Sequence, residues 1–235
     1  MDVLRKSATL LLIIVLLGAA AVSAAGFEFL PDPVTDRKQI LENRGFTLLE
    51  EPPRKFSIEC FDVNEDGLIA IGTQKGETKI ISICDSDGVF QYGFTCQDTG
   101  DFGLQWEKDE VLFYSVRSDL AFRVSASGDV KEIRKIANTI ENNAHWHHVV
   151  FADERIVGAD RYYLKDDMGI LNYMGSSHAQ LAVVHADSTE QILYDVNSEL
   201  LVQRSAVIVF VLLFIGIVFY SLFKLFKKLK SDAEQ

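Results

Sequence analysis

Phe56-Ser57-Ile58-Glu59-Cys60-Phe61, Asn64-Glu65-Asp66-Gly67, Leu68-Ile69-Ala70-Ile71, Gln74-Lys75-Gly76-Glu77, Thr78 to Cys84, Asp85-Ser86-Asp87-Gly88 and Val89 to Thr95 follow one another along the chain. Short runs rich in β-branched and aromatic residues alternate here with Asn, Asp, Gly and Lys turns about every ten residues. Tight turns between runs of this length join neighbouring antiparallel strands, so the stretch predicts a four-stranded meander. The pattern then repeats. Phe102 to Trp106, Glu110 to Val116, Leu120 to Val124 and Asp129 to Ile133 are separated by Glu107-Lys108-Asp109, Arg117-Ser118-Asp119 and Ser125-Ala126-Ser127-Gly128. A third, looser set runs through Val149-Val150-Phe151, Ile156-Val157, Tyr162-Tyr163-Leu164, Ala179 to His185 and Glu190 to Tyr194. Between the second and third sets, Asn138, Asn142 and Asn143 predict an irregular connection despite the near-helical spacing of Ile133, Ile136 and Ile140.

Phe61-Asp62-Val63-Asn64-Glu65-Asp66-Gly67-Leu68-Ile69-Ala70 and Ile81-Ser82-Ile83-Cys84-Asp85-Ser86-Asp87-Gly88 resemble blades of secreted β-propellers. The resemblance covers residues 55 to 195 and carries no WD-type or Kelch signature. It implies a mainly β fold of antiparallel four-stranded meanders, arranged as a partial propeller or as a sandwich. Three blades are fewer than a closed ring uses. An incomplete ring, a dimer that completes one, and a sandwich of the same meanders all remain open.

Upstream of the meanders, Pro31 and Pro33 mark an extended segment, Thr35 or Asp36 caps a short helix through Arg37, Ile40 and Leu41, and Gly45 stops it. Phe46 to Leu49 reads as a strand ended by Glu50-Glu51-Pro52-Pro53. Downstream, Asn197 or Ser198 caps a helix that runs without interruption into Ala206 to Phe223, eighteen residues that are apolar except for Tyr220 and Ser221. At about 1.5 Å per residue an eighteen-residue helix covers roughly 27 Å, close to the ~30 Å hydrocarbon core of a bilayer. Arg204 before it and Lys224, Lys227, Lys228 and Lys230 after it make the basic flanks of a membrane anchor. Residues 1–26 begin with Arg5 and Lys6, continue through Leu10 to Leu17 and end in small residues, which is the layout of a signal peptide or of an uncleaved N-terminal anchor. Positive charge at both outer flanks predicts those flanks inside the cell and residues 27–203 outside. The organisation expected is therefore a signal or anchor over 1–25, a linker over 26–54, an extracytoplasmic β domain over 55–196, a juxtamembrane and transmembrane helix over 198–223, and a basic tail over 224–235.

Charge narrows the partners. Of 23 basic residues six lie in the terminal tails, leaving 17, whereas only three of the 34 acidic residues lie there, leaving 31. A segment at about −14 is repelled by phosphate backbones, so no nucleic-acid partner is expected. Membrane lipid, another membrane or surface protein, or a second copy of the chain remain. Cys60, Cys84 and Cys96 have no metal spacing and read either as buried small hydrophobes or as one disulfide and a free thiol.

Two constellations could carry chemistry. Asp62, Asn64 and Asp66, followed by Gly67, open like a calcium loop, but the twelfth position is Thr73 and Leu68 to Ile71 reads as strand; a hairpin turn explains the same residues. His145, His147 and His148, with Asp153 and Glu154 nearby, have the donor types for zinc or nickel and would make a metal-assisted hydrolase, against the plainer reading of a polar loop rim. No Gly-x-Ser-x-Gly elbow, Ser-x-x-Lys pair or phosphate-cradling glycine loop is present. The functional expectation is a non-enzymatic, membrane-anchored binding or interaction protein without a cofactor, or an accessory subunit of a membrane complex.

Overall fold

The computed structural model describes residues 26–233 except 168, 175 and 176; the expected N-terminal signal or anchor lies outside the described residues. The chain is mainly β, with antiparallel sheets of four to five strands and a long apolar helix at its C-terminal end. In order it forms α1 (Arg37–Arg44), β1 (Thr47–Leu49), β2 (Ile58–Val63), β3 (Ile69–Lys75), β4 (Thr78–Cys84) and β5 (Phe90–Gln97). There follow β6 (Phe102–Glu107), β7 (Glu110–Ser115), β8 (Leu120–Val124), β9 (Val130–Lys135) and α2 (Ile140–His145), which passes into a π turn over Trp146–Val150. The last elements are β10 (Glu154–Val157), β11 (Asp160–Lys165), β12 (Gln180–Val184), β13 (Glu190–Asp195) and α3 (Asn197–Ala233).

Each meander is a sheet of its own. Sheet 1 has the order β1-β5-β4-β3-β2, sheet 2 β6-β7-β8-β9 and sheet 3 β10-β11-β12-β13. The first strand of every meander lies at the inner edge, where β2 meets β6 and also β10. Sheet 1 occupies the middle of the stack. One of its faces, with Ala70, Ile81, Ile83, Phe94 and Cys96, packs on the row Leu104, Phe113, Phe122 and Ile133 of sheet 2. Its other face, with Ile58, Phe61, Ile69 and Ile71, packs on Tyr162, Leu181, Val183 and Tyr194 of sheet 3. Burial on both faces explains why β3 and β4 read as nearly unbroken apolar runs instead of alternating ones.

The ends of the stack differ. The outer face of sheet 2 presents Leu112, Tyr114 and Ala121 and is covered by Phe27, Trp146 and Val150. Gly103 makes that cover possible: a Cβ there would stand 2.2 Å from Val150 Cγ1. Residues 26–30 are pinned as well, through an isolated bridge between Phe29 and Ile136 and the Leu30 amide donating to the Lys135 carbonyl at 2.9 Å. The segment expected as a linker is thus part of the packed domain, and β1 extends sheet 1 through β5. Helix α1 closes the opening between sheets 1 and 2, with Arg37 donating to the Val130 and Lys131 carbonyls and Arg44 paired with Asp98.

Two expectations are corrected in the connection before β10. Residues 140–150 are helical, because Thr139 Oγ1 accepts from the Asn142 amide, and the buried Asn142 side chain bonds both Glu28 and Ala137. The asparagine that suggested a loop is the bolt of a helix. Val149-Val150-Phe151 is consequently not a strand, and Trp146 and Val150 point into the cover of sheet 2.

Helix α3 starts directly after β13. Its portion Asn197–Lys224 is 28 residues long and is long and apolar enough to cross a membrane. Arg204, only 8% exposed, reaches back to the domain instead of outward: Nη1 donates to the Leu171 carbonyl at 2.9 Å and Nη2 to the Ser177 carbonyl at 3.3 Å. Leu200 packs against the core shared by sheets 1 and 3.

Candidate functional site

Antiparallel order places the β2–β3, β6–β7, β10–β11 and β12–β13 turns at one end of the stack. The longer connections and the start of α3 lie at the other. At that second end a cleft of about 340 Å³ opens between the inner strands, lined by Glu59, Gln74, Asp101, Phe102, His147, Phe151, Asp153 and His178. His178 is fixed by a two-bond bridge to Ile58, amide to carbonyl in both directions at 2.8 and 2.9 Å. Its ring sits between two carboxylates, Nδ1 at 3.0 Å from Asp166 Oδ2 and Nε2 at 3.6 Å from Asp153 Oδ1. Asp166 also accepts from the Ala179 amide at 2.8 Å, so the loop after β11 is folded around this carboxylate.

Behind the cleft wall lies a buried cation. Lys79, 1% exposed, donates to Gln74 Oε1 at 2.5 Å and to the Gly100 carbonyl at 2.7 Å, with its ammonium 5.0 Å from the Phe102 ring centroid. Gln74 in turn donates to Glu59 Oε1 at 3.3 Å, so one amide links the two opposite charges. Burial pushes the Glu59 carboxyl above its ordinary range, and Asp101 adds to the rise while Gln74, Lys79 and His178 oppose it. Burial pulls the Lys79 ammonium down, against the pull of Glu59 in the other direction.

The sign of the Glu59 shift gives a testable pH dependence. A carboxyl that ionises less readily when folded contributes stability that is complete below its unfolded value and lost as pH rises through its folded value. Glu59→Gln should therefore raise the melting temperature of the full chain in detergent at pH 8 and leave it nearly unchanged at pH 4. Equal effects at both pH values would contradict the assignment of burial as the cause.

No family model, curated protein or solved structure matches this chain. The site must be read from its own residues.

The proposed metal ligands do not converge. His145 lies against the Phe27 ring, centroids 4.5 Å apart, with Nε2 3.3 Å from Gln105 Oε1, whereas His147 lines the cleft and His148 is exposed. Among the described residues no group of three His, Cys, Asp or Glu side chains is placed to hold a metal ion. The helical turn is the reason, since it distributes the three imidazoles around its surface. The calcium reading is resolved into a hairpin: Asn64 Oδ1 accepts from the Asp66 and Leu68 amides at 3.1 and 2.7 Å, and Gly67 takes φ 81°.

Asp62 is committed elsewhere. It joins all three sheets, accepting from the Trp106 amide at 2.7 Å and from Arg155 Nε at 2.8 Å. Arg155 further donates to the carbonyls of Phe61, Val150, Ala152 and Glu154. Burial pushes the Asp62 carboxyl up, and Arg155 and the Trp106 amide draw it back part of the way.

The three cysteines are free and buried. Burial raises all three thiols, Cys84 to about 11 and Cys96 to about 12, which disfavours the reactive thiolate form in the folded protein.

Of the cleft residues, sequence reasoning singled out His147 and noted Asp153; Glu59 and Gln74 were read only as parts of a strand and a turn, and Asp101 and His178 were not read as site residues. Lys79 stands directly before the run Ile80 to Cys84, and nothing local distinguishes it from the charges of the preceding turn, Lys75 and Glu77. Chemically, the cleft offers carboxylates, an amide and imidazoles against two phenylalanine walls, and no serine, threonine or cysteine among its lining residues. That set can hold a polar or cationic group by hydrogen bonds and charge.

Proposed function

We propose that the chain is a non-enzymatic, membrane-anchored extracytoplasmic interaction protein, with a propeller-like β domain outside the cell and a short basic tail inside. The observation that carries this reading is the junction between β13 and α3: a strand of the domain runs into a long exposed apolar helix, and Arg204 ties that helix to the loop that ends in His178. A tether of this kind holds the domain in one orientation and turns the cleft end toward the membrane. Lys224, Lys227, Lys228 and Lys230 support the inside placement of the tail. The uncleaved or cleaved state of the first 25 residues does not alter the side on which the domain stands.

Partners engage rim loops and the cleft, where carboxylates favour a basic or amine-bearing group. Tagged full-length protein extracted from membranes in mild detergent should recover a protein or surface component in constant ratio. Asp101→Asn combined with Asp153→Asn should reduce that recovery at least several-fold. Recovery of the tagged chain without any such component would overturn the reading. Replacement of residues 206–223 by an unrelated apolar helix separates an accessory-subunit role: assembly that survives rejects it, because such a role places recognition in the span itself.

A further inference from the structure

The connection between β11 and β12 differs in chemistry from the tight turns between the other strands. Those are built mostly of Asn, Asp, Ser, Gly and charged residues, whereas Gly169–Met174 forms a 3-10 turn of sequence Gly-Ile-Leu-Asn-Tyr-Met. Its amide side chain is used within the loop, Asn172 Nδ2 donating to the Asp166 carbonyl at 3.2 Å. Helix α3 holds this loop by three carbonyls. Asn197 Nδ2 donates to that of Asp167 at 3.3 Å, and Arg204 serves those of Leu171 and Ser177.

The span sets the height of the loop. With Ala206 to Phe223 in the hydrocarbon core, Arg204 stands two residues, about 3 Å, outside the edge of that core, within a headgroup layer roughly 5–7 Å thick. A guanidinium at this height ordinarily snorkels toward water. That of Arg204 does not: the residue is 8% exposed, and the Leu171 and Ser177 carbonyls stand where water would. The backbone that supplies them therefore comes within one arginine side chain of the headgroup level. The other residue types of the turn, Ile170, Leu171, Tyr173 and Met174, suit that layer, in which tyrosine is enriched and apolar groups find acyl chain. Asp167, exposed just before the turn, keeps it from sinking into the hydrocarbon.

We propose that the turn Gly169–Met174 is a second membrane contact, seated in the outer headgroup layer beside α3, and that its partner is the lipid surface itself. The proposal rests on the membrane-anchored reading. Because the natural thiols are buried, a fluorophore on an introduced cysteine reports its own surroundings. Full-length Tyr173→Cys, labelled with an environment-sensitive fluorophore and reconstituted into phosphatidylcholine vesicles, should be quenched several-fold by lipid that carries a nitroxide on its headgroup. Ile170→Cys repeats the measurement should the first variant fail to fold. The same label at Glu65→Cys, in the exposed β2–β3 turn at the far end of the stack, should be unaffected, and at Val207→Cys, just inside the span, it should be quenched. Combining Arg204→Met with Tyr173→Cys should weaken the quenching, because the turn loses its tie to the helix. Quenching at Val207→Cys without quenching at Tyr173→Cys and Ile170→Cys defeats the lipid contact alone, and a blue-shifted but unquenched label at these two positions places the turn against protein instead. Equal quenching at Glu65→Cys would also overturn the contact, as adsorption without a preferred face. Absence of quenching at Val207→Cys defeats the anchored reading and the contact with it.

Discussion

Arg155→Met should cost about 3–5 kcal/mol of folding stability, because it leaves the Asp62 carboxylate buried without its cation. Asp62 and Arg155 side chains are 12% and 13% exposed, so solvent screens their interaction little. The guanidinium also lies 5.2 Å from the Phe61 ring centroid and serves four backbone carbonyls, two of them, Val150 and Ala152, in the turn that precedes β10. The loss should appear as a lower denaturant midpoint for the full chain in detergent. Arg155→Met combined with Asp62→Leu should recover part of it by removing the stranded charge, while the orphaned carbonyls prevent full recovery. A single variant within about 0.5 kcal/mol of wild type would show that the three sheets do not depend on this junction.

The second large effect is expected at Phe113→Ala, about 3–5 kcal/mol, as the deletion of a buried aromatic side chain combines lost transfer energy with a cavity. Phe113 is fully buried, and its ring has Phe102, Phe122 and Phe46 at centroid distances of 5.6, 6.0 and 6.1 Å. The first two come from sheet 2 itself and the third from the segment between α1 and β1, so no single element can collapse into the hole. Domains are commonly stable by only about 5–15 kcal/mol, and a loss of this size leaves a large unfolded fraction near physiological temperature. Ile140→Ala, on an exposed helix position, is the matching control and should change stability by less than about 0.5 kcal/mol.

The meanders were legible because local rules set them. Asn64 to Gly67, Asp85 to Gly88 and Ser125 to Gly128 are turn chemistry, and each ends in a glycine with positive φ. The strands between them were bounded within a few residues by their β-branched and aromatic content. The apolar end of α3 was readable from length alone, whereas the residues read as its cap do not act as one: Asn197 is already helical, and its amide donates to Asp195 Oδ1 at 2.7 Å. What stayed hidden depends on contacts far apart in the chain. Asn142 is buried in a helix where Glu28, 114 residues away, exchanges two hydrogen bonds with its side chain, beside the local Thr139 cap. Asp62 resembled a calcium ligand because nothing local announced Arg155, 93 residues further on.

The cleft was hidden for the same reason. Glu59, Asp101, Asp153 and His178 come from four separate elements, and adjacency in sequence says nothing about their meeting. A finer signal was present in the alternation of the third set. Arg161, Tyr163 and Lys165 facing one side with Tyr162 and Leu164 facing the other describe a sheet covered on one face, whereas the continuous runs of β3 and β4 describe one covered on both. Arg204 shows the opposite limit. Its place before an apolar stretch marked it as a basic flank of the anchor, and nothing local announced that it also serves two carbonyls of the domain, which couples the cleft loop to the helix.

The side of the membrane on which the domain stands is the central claim, and cysteine accessibility tests it most directly. Glu65→Cys in the exposed β2–β3 turn and Ser231→Cys in the basic tail are compared in intact cells with a membrane-impermeant maleimide. Labelling of the first without permeabilisation, and of the second only after it, is the predicted result. Labelling of the tail from outside, or protection of the turn until the membrane is opened, would contradict it.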